Sequence, residues 1–274
     1  MNSPSLRDVV AAELTSLTAG GAVAAVGSAR STARLYAADP HRAAVHRAII
    51  ERYLQDTGDP DCDGQSIVVT AGVPGAGKST AIASQVLDRE SYRELDADIV
   101  KDYLLEQAVD DGIFDDLLDK QLSDRRPIQP RELAALVHRE STQIVDLLRQ
   151  ECISRNENLI VHGTLTWAGA GADILSDLEH GEYRRFHILD VEVPESQAQA
   201  QALDRWWRVR AAGDDALGGR FTPPAAISAA FGPSESLCAA NARALFDTAQ
   251  STWLSEVVLT VVTPEGTTSR SFSR

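Results

Sequence analysis

Cysteine is scarce in this chain, and long apolar runs are missing from it. The three cysteines, Cys62, Cys152 and Cys238, lie far apart and show no CxxC or CxxH spacing, which argues against a zinc site and against a disulfide framework. No segment approaches the roughly 20 apolar residues of a membrane-spanning helix, and the chain does not begin with a basic stretch followed by an apolar one. We therefore expect a protein of the reducing cytoplasm that does not associate with a membrane.

Basic residues are in the minority. The 274 residues include 26 lysines and arginines against 40 aspartates and glutamates, which gives a formal net charge of −14. This excess of negative charge disfavours a general affinity for nucleic acid or for an anionic membrane, because binding to either relies on basic side chains. With 43% hydrophobic residues, the chain is long enough to bury one sizeable core, alone or with a small helical appendage.

The pattern of apolar residues changes near residue 60. Before it, the amphipathic stretch from Val9 to Leu17 and the segment HRAAVHRAIIERYL after Pro40 predict helices. After it, short apolar runs alternate with longer helical stretches, which is typical of a parallel sheet flanked by helices. We therefore expect an α/β fold, with a helical extension over residues 1–60 and the main domain over residues 61–274.

The expected strands of that sheet are SIVVTA, the more polar YRELDA, NLIVHG and RRFHILDVEV. The expected helices between them run over Lys78 to Leu87, Ile99 to Glu106, Arg131 to Arg155, Ala170 to Leu178 and Glu195 to Ala212. Near the end of the chain, EVVLTVV, a TPEG turn and TSRSF predict a β-hairpin, which we expect at the periphery of the fold.

One motif predicts a specific chemistry. Residues 72–80 read GVPGAGKST, directly after an expected strand and directly before a helix, which is the context of a phosphate-binding P-loop. The glycines let successive amides face one centre, and the lysine can reach the β- and γ-phosphates of a nucleotide. The predicted nucleotide-binding residues are Gly72, Val73, Pro74, Gly75, Ala76, Gly77, Lys78, Ser79 and Thr80. Ser79 is the expected ligand of a Mg2+ ion that accompanies ATP or GTP, so the sheet is expected to be of the P-loop NTPase type.

Two carboxylates, Asp96 and Asp98, follow the second expected strand. If that strand continued, their spacing would place both on one face of the sheet. A carboxylate at the carboxyl edge can accept the proton of a hydroxyl that attacks the γ-phosphate, whereas an aspartate before a helix is also a common N-cap. Both interpretations of Asp98 stay open on local sequence. Because NLIVHG does not end in an acidic residue, no Walker-B carboxylate is evident, which favours a small-molecule kinase over a motor or a switch.

From YAADPHRAAVHRAII through GVPGAGKST to LDADIVK, the chain resembles the zeta-toxin family of P-loop kinases, over roughly Tyr36 to Ile227. Characterised members of that family phosphorylate the 3′-hydroxyl of UDP-N-acetylglucosamine. The resemblance implies an ATP- or GTP-dependent kinase of a nucleotide-sugar or nucleotide-like metabolite, with Asp98 as the catalytic aspartate and Lys101 at a position that is usually basic. It also implies a toxin of a toxin-antitoxin system, with either an antitoxin protein as partner or the chain's own helical extension over residues 1–60 as a structural cap in its place. The alternative is a nucleotide-hydrolysing or nucleotide-controlled binding module without an acceptor.

Two further segments resemble the acceptor side of that family. LVHREST resembles its His-x-Glu segment, so Glu140 is a candidate for substrate binding. Because Glu140 interrupts the apolar stripe of a helix, a core arginine or a backbone amide is the alternative partner. NLIVHGTLTW resembles a strand end of the family, where Thr164 falls on the family's threonine and His162 replaces its acidic residue. The resemblance therefore implies intact phosphotransfer chemistry and a changed acceptor side, unless His162 only bonds a neighbouring backbone group.

Arginines in the C-terminal half complete the candidate site. The helix ESQAQAQALDRWWRVRAAG carries Arg205, Arg208 and Arg210, and the loop GGRFTPP carries Arg220. Both segments resemble the family's phosphate-contacting arginine segments, which implies that Arg205 and Arg220 act in catalysis with Lys78, and that Arg208 is an alternative to Arg205. The other interpretation is solvated surface charge, which we expect for Arg210.

Overall fold

A computed structural model of the chain describes residues 4–19, 28–60 and 65–274. Its helices are α1 (Leu6–Ala19), α2 (Thr32–Leu35), α3 (Arg42–Asp56), α4 (Lys78–Gln85), α5 (Ala97–Asp110), α6 (Asp115–Leu118), α7 (His138–Ser154), α8 (Gly169–His180), α9 (Glu195–Ala212), α10 (Pro224–Ser228) and α11 (Leu237–Ala249). Among these described helices, none is both long and apolar enough to cross a membrane. All but one of the predicted helices are present as single helices, and α9 has the predicted bounds.

One predicted helix is divided in two. Residues Pro130–Leu136 form a 3-10 helix, and α7 begins only at His138. The 3-10 segment opens with a capping box, in which the side chains of Gln129 and Glu132 each accept a hydrogen bond from the other's backbone amide. The expectation of a single helix from Arg131 was therefore wrong, because local capping at Gln129 starts a separate turn.

A six-stranded sheet forms the centre of the fold. Its strands are β1 (Ser66–Ala71), β2 (Arg93–Leu95), β3 (Leu159–Val161), β4 (Arg185–Val191), β5 (Glu256–Thr263) and β6 (Gly266–Ser273). Their order is β2-β3-β1-β4-β5-β6, and the first five are mutually parallel. Every residue of β1 is buried, as a central strand covered on both faces requires. The predicted α/β fold with a mostly parallel sheet is confirmed.

The C-terminal hairpin is present, but its first strand is not peripheral. β5 pairs in parallel with β4 along its length, and Val257 and Leu259 are buried. Of the two hairpin strands, β6, which is antiparallel to β5 and almost wholly exposed, is the one that lies at an edge of the sheet. The hairpin therefore extends the main sheet, because β5 alternates buried apolar residues that need the same core as β4.

The chain forms two compact units. The first contains Met1–Glu51, Ala97–Val145 and Ala200–Ala226, and the second contains Arg52–Asp96, Asp146–Gln199 and Ile227–Arg274. The second unit holds the whole sheet, whereas the described elements of the first are helical. Both units are discontinuous in sequence, and a domain boundary at residue 60 stays a prediction. Cys152 and Cys238 are free, buried thiols, and Cys62 lies outside the described residues.

Candidate active site

The loop after β1 has the geometry that its glycines predict. Gly72, Gly75 and Gly77 have φ angles of +129°, +88° and +94°, in a region that L side chains rarely adopt. At Gly72, an added Cβ would lie 2.5 Å from the carbonyl oxygen of Val191. The loop therefore depends on glycine both for its backbone angles and for its close approach to β4.

Lys78, Ser79 and Thr80 form the first turn of α4. The Nζ of Lys78 donates to the carbonyl oxygens of Gly72 at 2.7 Å and of Val73 at 3.1 Å, so its ammonium group lies across the loop. Ser79 and Thr80 are exposed. The first amides of a helix have no intrahelical partners and, with the helix dipole, favour a bound anion. This arrangement can hold the phosphates of a nucleotide.

The segment after β3 is joined to the start of the P-loop. The amide of Gly72 donates to the carbonyl oxygen of Thr164 at 3.1 Å. The Oγ1 of Thr70 donates to the carbonyl oxygen of Gly163 at 3.1 Å and accepts from its amide at 2.9 Å. Thr164 therefore lies beside the phosphate-binding loop, at the carboxyl edge of the sheet. Its role in binding the acceptor stays a prediction.

His162 follows β3 and lies beside two carboxylates at the end of β2. Its Nε2 is 2.8 Å from the Oε2 of Glu94, and its Nδ1 is 4.0 Å from the Oδ2 of Asp96. The imidazole therefore has acidic side chains as partners rather than the neighbouring backbone group considered above. Sequence reasoning missed Glu94, although its spacing of two residues from Asp96 on a strand indicates a shared face.

A second carboxyl pair that sequence reasoning missed lies at the end of β4. Asp190 is 1% exposed, and its Oδ1 has no hydrogen-bond partner among the described residues. Nearby, Glu192 accepts a hydrogen bond from the Oγ of Ser236 at 2.8 Å. Burial, and then the charge of Glu192, raises the pKa of Asp190 to about 8. The signal was present in RRFHILD, an apolar run that ends in aspartate.

We expect the substitution Asp190→Asn to make the protein more stable at alkaline pH. The pKa of Asp190 in the folded chain lies above its ordinary value of 3.8, so between these pH values the folded chain binds more protons than the unfolded chain. The free energy of unfolding of the wild type therefore falls as the pH rises from about 4 to about 8. The Asp190→Asn variant does not show this fall, because asparagine has no such proton to release.

Thermal unfolding between about pH 6 and about pH 9 checks this expectation. The difference in Tm between variant and wild type should grow in favour of the variant up to about pH 8 and stay constant above it. Asp247→Asn is the control, because this side chain is 64% exposed and should give a curve parallel to that of the wild type. A constant difference between Asp190→Asn and the wild type at all pH values would contradict the prediction.

In the first unit, Asp98 lies in the first turn of α5. Because β2 ends at Leu95 and α5 begins at Ala97, Asp96 and Asp98 do not share a strand face, and the N-cap position belongs to Asp96. The Nζ of Lys101 donates to the Oδ1 of Asp98 at 2.8 Å. Loss of hydration raises the pKa of Asp98. The positive charges of Lys101 and Arg220 have the larger combined effect and lower this pKa to about 2. The carboxylate is therefore ionised throughout the neutral range.

Arg220 is the second basic partner of Asp98. Its Nε lies 3.2 Å from the Oδ2 of Asp98, and its Nη2 donates to the Oδ1 of Asp102 at 2.7 Å. Its buried Nη1 has no hydrogen-bond partner among the described residues. An unused guanidinium donor is costly when buried, and an anion would satisfy it. The first unit thus brings together three predicted site residues, Asp98, Lys101 and Arg220.

The three arginines of α9 have different surroundings. Arg205 and Arg208 are exposed and line an open groove with Trp207, and Arg205 also helps to lower the pKa of Asp98. The expectation that Arg210 is solvated was wrong, because its side chain is fully buried. Two buried carboxylates, Asp124 and Glu132, each bind its guanidinium at 2.8 Å. These ion pairs compensate for the loss of hydration of the buried Arg210.

Glu140 is buried in the first unit with basic partners from α3. The Nη2 of Arg42 donates to its Oε2 at 2.9 Å, and the Nε2 of His46 lies 2.6 Å from its Oε1. Burial raises the pKa of Glu140, but the hydrogen bonds from His46 and Arg42 lower it to about 2. Of the two alternatives for this carboxylate, the core arginine is present, and a contact with substrate stays a prediction.

Comparison with protein families identifies the chain's relatives. The family model described as Zeta toxin matches residues 50–252, well over half of the 274 residues. No match was found among curated proteins. The matched range begins and ends later in the chain than the range from Tyr36 to Ile227 that the motifs indicated. It includes the P-loop, Asp98 and the arginines of α9.

Solved structures share the fold at low sequence identity. A structure from the PezAT chromosomal toxin-antitoxin system of Streptococcus pneumoniae has a TM-score of 0.54 at 15% identity, with 79% of this chain and 76% of that chain covered. The AvrRxo1-ORF1:AvrRxo1-ORF2 complex with sulphate ions has a TM-score of 0.54 at 13% identity, with 85% of this chain and 66% of that chain covered. The same complex with ATP has a TM-score of 0.53 at 13% identity and the same coverage. The chain thus spans about two thirds of that chain's length.

Proposed function

Because the chain belongs to the zeta toxin family, we propose that it is a kinase that transfers the γ-phosphate of ATP or GTP to a hydroxyl of a nucleotide-sugar or nucleotide-like metabolite. The observation that carries this proposal is the intact P-loop, in which Lys78 lies across glycines that hold left-handed backbone angles. UDP-N-acetylglucosamine, the acceptor of characterised family members, is the first candidate.

Nucleotide binding is assigned to the second unit. The amides of residues 72–80 and the ammonium group of Lys78 bind the β- and γ-phosphates. ATP in a complex of similar fold supports this assignment. Ser79 is exposed and follows Lys78 in the first turn of α4, so its hydroxyl fits a Mg2+ ion that the phosphates also hold. When bound, Mg2+ neutralises phosphate charge.

Asp98 is assigned to the acceptor hydroxyl. Its pKa of about 2 makes it a weak base but a permanent hydrogen-bond acceptor. In a loose transition state the attacking hydroxyl loses its proton late, so orienting that hydroxyl is the main contribution we assign to this carboxylate. Lys101 keeps the carboxylate ionised.

Arginines are assigned to the charge that develops on the transferred phosphoryl group. Arg220 has a buried donor, Nη1, without a partner among the residues that the structure describes, which fits an anion ligand. Arg205 is exposed on α9 and near enough to Asp98 to affect its pKa, which supports Arg205 over Arg208 as the second phosphate contact.

The biological setting that we infer is a cytoplasmic toxin controlled by an antitoxin. A relative in fold comes from a toxin-antitoxin system, and a kinase of nucleotide-sugars would act where ATP and these metabolites are made.

A binding module that only hydrolyses nucleotide would need no carboxylate to orient a hydroxyl. Asp98 lies inside the first turn of α5 rather than at its N-cap, so N-capping does not account for this residue.

Product analysis tests the kinase proposal. Purified protein with Mg-ATP and UDP-N-acetylglucosamine, followed by mass spectrometry and phosphorus NMR, should give ADP and a phosphorylated sugar nucleotide. A wider metabolite panel, with GTP as the alternative donor, identifies a different acceptor. If the protein releases only inorganic phosphate with every metabolite, the kinase proposal fails and the hydrolase alternative stands.

Lys78→Ala should lower kcat/KM for ATP by about a hundredfold, because it removes the cation that binds the β- and γ-phosphates in both ground and transition states. Steady-state kinetics with varied ATP measure this loss. Lys120→Ala is the matched control, since this lysine lies outside the P-loop and is exposed. Unchanged turnover in Lys78→Ala would overturn the assignment of the loop.

A further inference from the structure

Three polar side chains lie together beside the P-loop strand. Glu94 on β2, Asp96 after it and His162 after β3 occupy the carboxyl ends of two parallel strands, and β3 pairs directly with β1. Ligands of open parallel sheets bind outside this edge. We refer to Glu94, Asp96 and His162 as the edge cluster.

The edge cluster is held in place by buried contacts. The hydroxyl of Tyr53, a residue with no exposed surface, donates to the carbonyl oxygen of Glu94 at 2.7 Å and accepts from the amide of Asp96 at 2.8 Å. The amide of His162 donates to the carbonyl oxygen of Leu95 at 2.9 Å. The backbone of both strand ends is thus fixed before any ligand arrives, as a binding site requires.

The loop that continues from His162 stores backbone strain. Leu165 has a φ angle of +53° although it is buried and apolar, and its carbonyl oxygen accepts a hydrogen bond from the Nδ2 of Asn241 at 2.7 Å. A leucine in this conformation costs free energy that the surrounding contacts must offset, and such residues cluster at functional sites. The preceding residue, Thr164, accepts the hydrogen bond from the amide of Gly72, so this strained loop is joined directly to the P-loop.

Hydrogen-bond capacity distinguishes the members of the cluster. The imidazole of His162 is 14% exposed, and both of its nitrogens face carboxylates. Glu94 is 25% exposed. Its carboxylate offers about four acceptor positions, and the hydrogen bonds with His162 and Arg89 use two of them. Glu94 can therefore accept further hydrogen bonds from a ligand, while His162 fixes its orientation.

Charge defines the chemical group that fits. The hydrogen bond with His162, followed by the influence of Arg89, lowers the pKa of Glu94 to about 2, so Glu94 is ionised at neutral pH. Asp96 adds a second carboxylate, and an anionic ligand group would be repelled here. Hydroxyl and amide groups can donate hydrogen bonds to these carboxylates without bringing in negative charge.

We propose that Glu94, oriented by His162, is an acceptor-binding residue that takes hydrogen bonds from hydroxyl or amide groups on the uncharged sugar portion of the phosphate acceptor. This inference rests on the proposed kinase function and deepens it. The acidic group that recognises the sugar is then supplied by β2, and the residue at the end of β3 acts as its positioning partner.

Kinetics with UDP-N-acetylglucosamine as the probe test this inference. Glu94→Gln keeps the size of the side chain but removes the charge, and it should raise the KM for the probe about tenfold while the KM for ATP changes by less than about twofold. His162→Glu should also raise the KM for the probe, because two carboxylates would then face each other at the position of the hydrogen bond. The swapped variant Glu94→His with His162→Glu should recover part of this loss.

Matched controls separate recognition from folding. Glu256→Gln removes an exposed carboxylate from a strand of the same sheet and should leave both KM values unchanged. Thermal unfolding of each variant shows whether it folds. A folded Glu94→Gln with an unchanged KM for the probe, or with equal increases in both KM values, overturns the inference but leaves the kinase proposal intact. No transfer to the probe by the wild-type protein, despite transfer to an acceptor without a sugar, overturns the sugar-binding role itself.

Discussion

Replacing Asp98 by asparagine is expected to lower kcat for phosphoryl transfer by about a thousandfold. The substitution keeps the shape of the side chain but removes the charge that orients the attacking hydroxyl and accepts its proton. It also leaves the positive charges of Lys101 and Arg220, which bind Asp98 in the native chain, less neutralised. We therefore expect the affinity for Mg-ATP to stay within about threefold of the wild type or to increase.

Single-turnover assays with excess enzyme measure the transfer step, and calorimetry measures nucleotide affinity. Asp116→Asn is the matched control, because this aspartate is exposed and pairs only with surface Arg30 among the contacts that the structure describes for its side chain. A role limited to the ion pair with Arg220 predicts weaker ATP binding and a modest loss of kcat. That combination in Asp98→Asn, with normal activity in Asp116→Asn, would contradict the catalytic assignment.

The low pKa of Asp98 adds a condition on the pH dependence. Because Asp98 titrates near pH 2, it stays ionised down to about pH 4, so its protonation does not reduce the rate of the wild-type enzyme as the pH falls from neutrality. A fall in kcat with acid above that value would have to come from another group. This separates Asp98 from a base that titrates near neutral pH.

The phosphate-binding half of the candidate site was predictable from sequence, because its chemistry is local. The residues of the P-loop follow one another along the chain, and a strand before them and a helix after them follow from periodicity alone. The observed β1 and α4 occupy these positions. Most of the parallel sheet was predictable for the same reason, since β1, β3, β4 and β5 are apolar runs, whereas β2 contains only one apolar residue, Leu95.

Pairings between distant residues were not predictable. Glu94 and His162 are 68 positions apart, and Arg42 and Glu140 are 98 apart, so no local pattern joins them. The interpretation of Arg210 failed for this reason. On sequence alone it resembles the charged residues around it on α9, and only the positions of Asp124 and Glu132 show why it is buried.

Replacing this buried Arg210 by methionine is expected to destabilise the protein by about 3–5 kcal/mol. Methionine fills most of the space but leaves two buried carboxylates without their cation: the side chain of Glu132 is 0% exposed and that of Asp124 is 7% exposed. Urea unfolding followed by circular dichroism measures the loss. Arg30→Met is the control, since Arg30 pairs with Asp116 at the surface and should cost less than about 1 kcal/mol.

The pH dependence of this loss identifies its cause. Burial already raises the pKa of Glu132 even though Arg210 opposes it, and without the guanidinium the pKa must rise further. A folded-state pKa above the unfolded value means that the folded chain binds more protons, so the stability of Arg210→Met falls as the pH rises through that interval. The variant should therefore be closest to the wild type in acid.

Adding Glu132→Gln and Asp124→Asn to Arg210→Met should restore much of the stability at neutral pH, because no buried charge then remains. If the variant loses equal stability at every pH, lost packing rather than uncompensated charge is the cause.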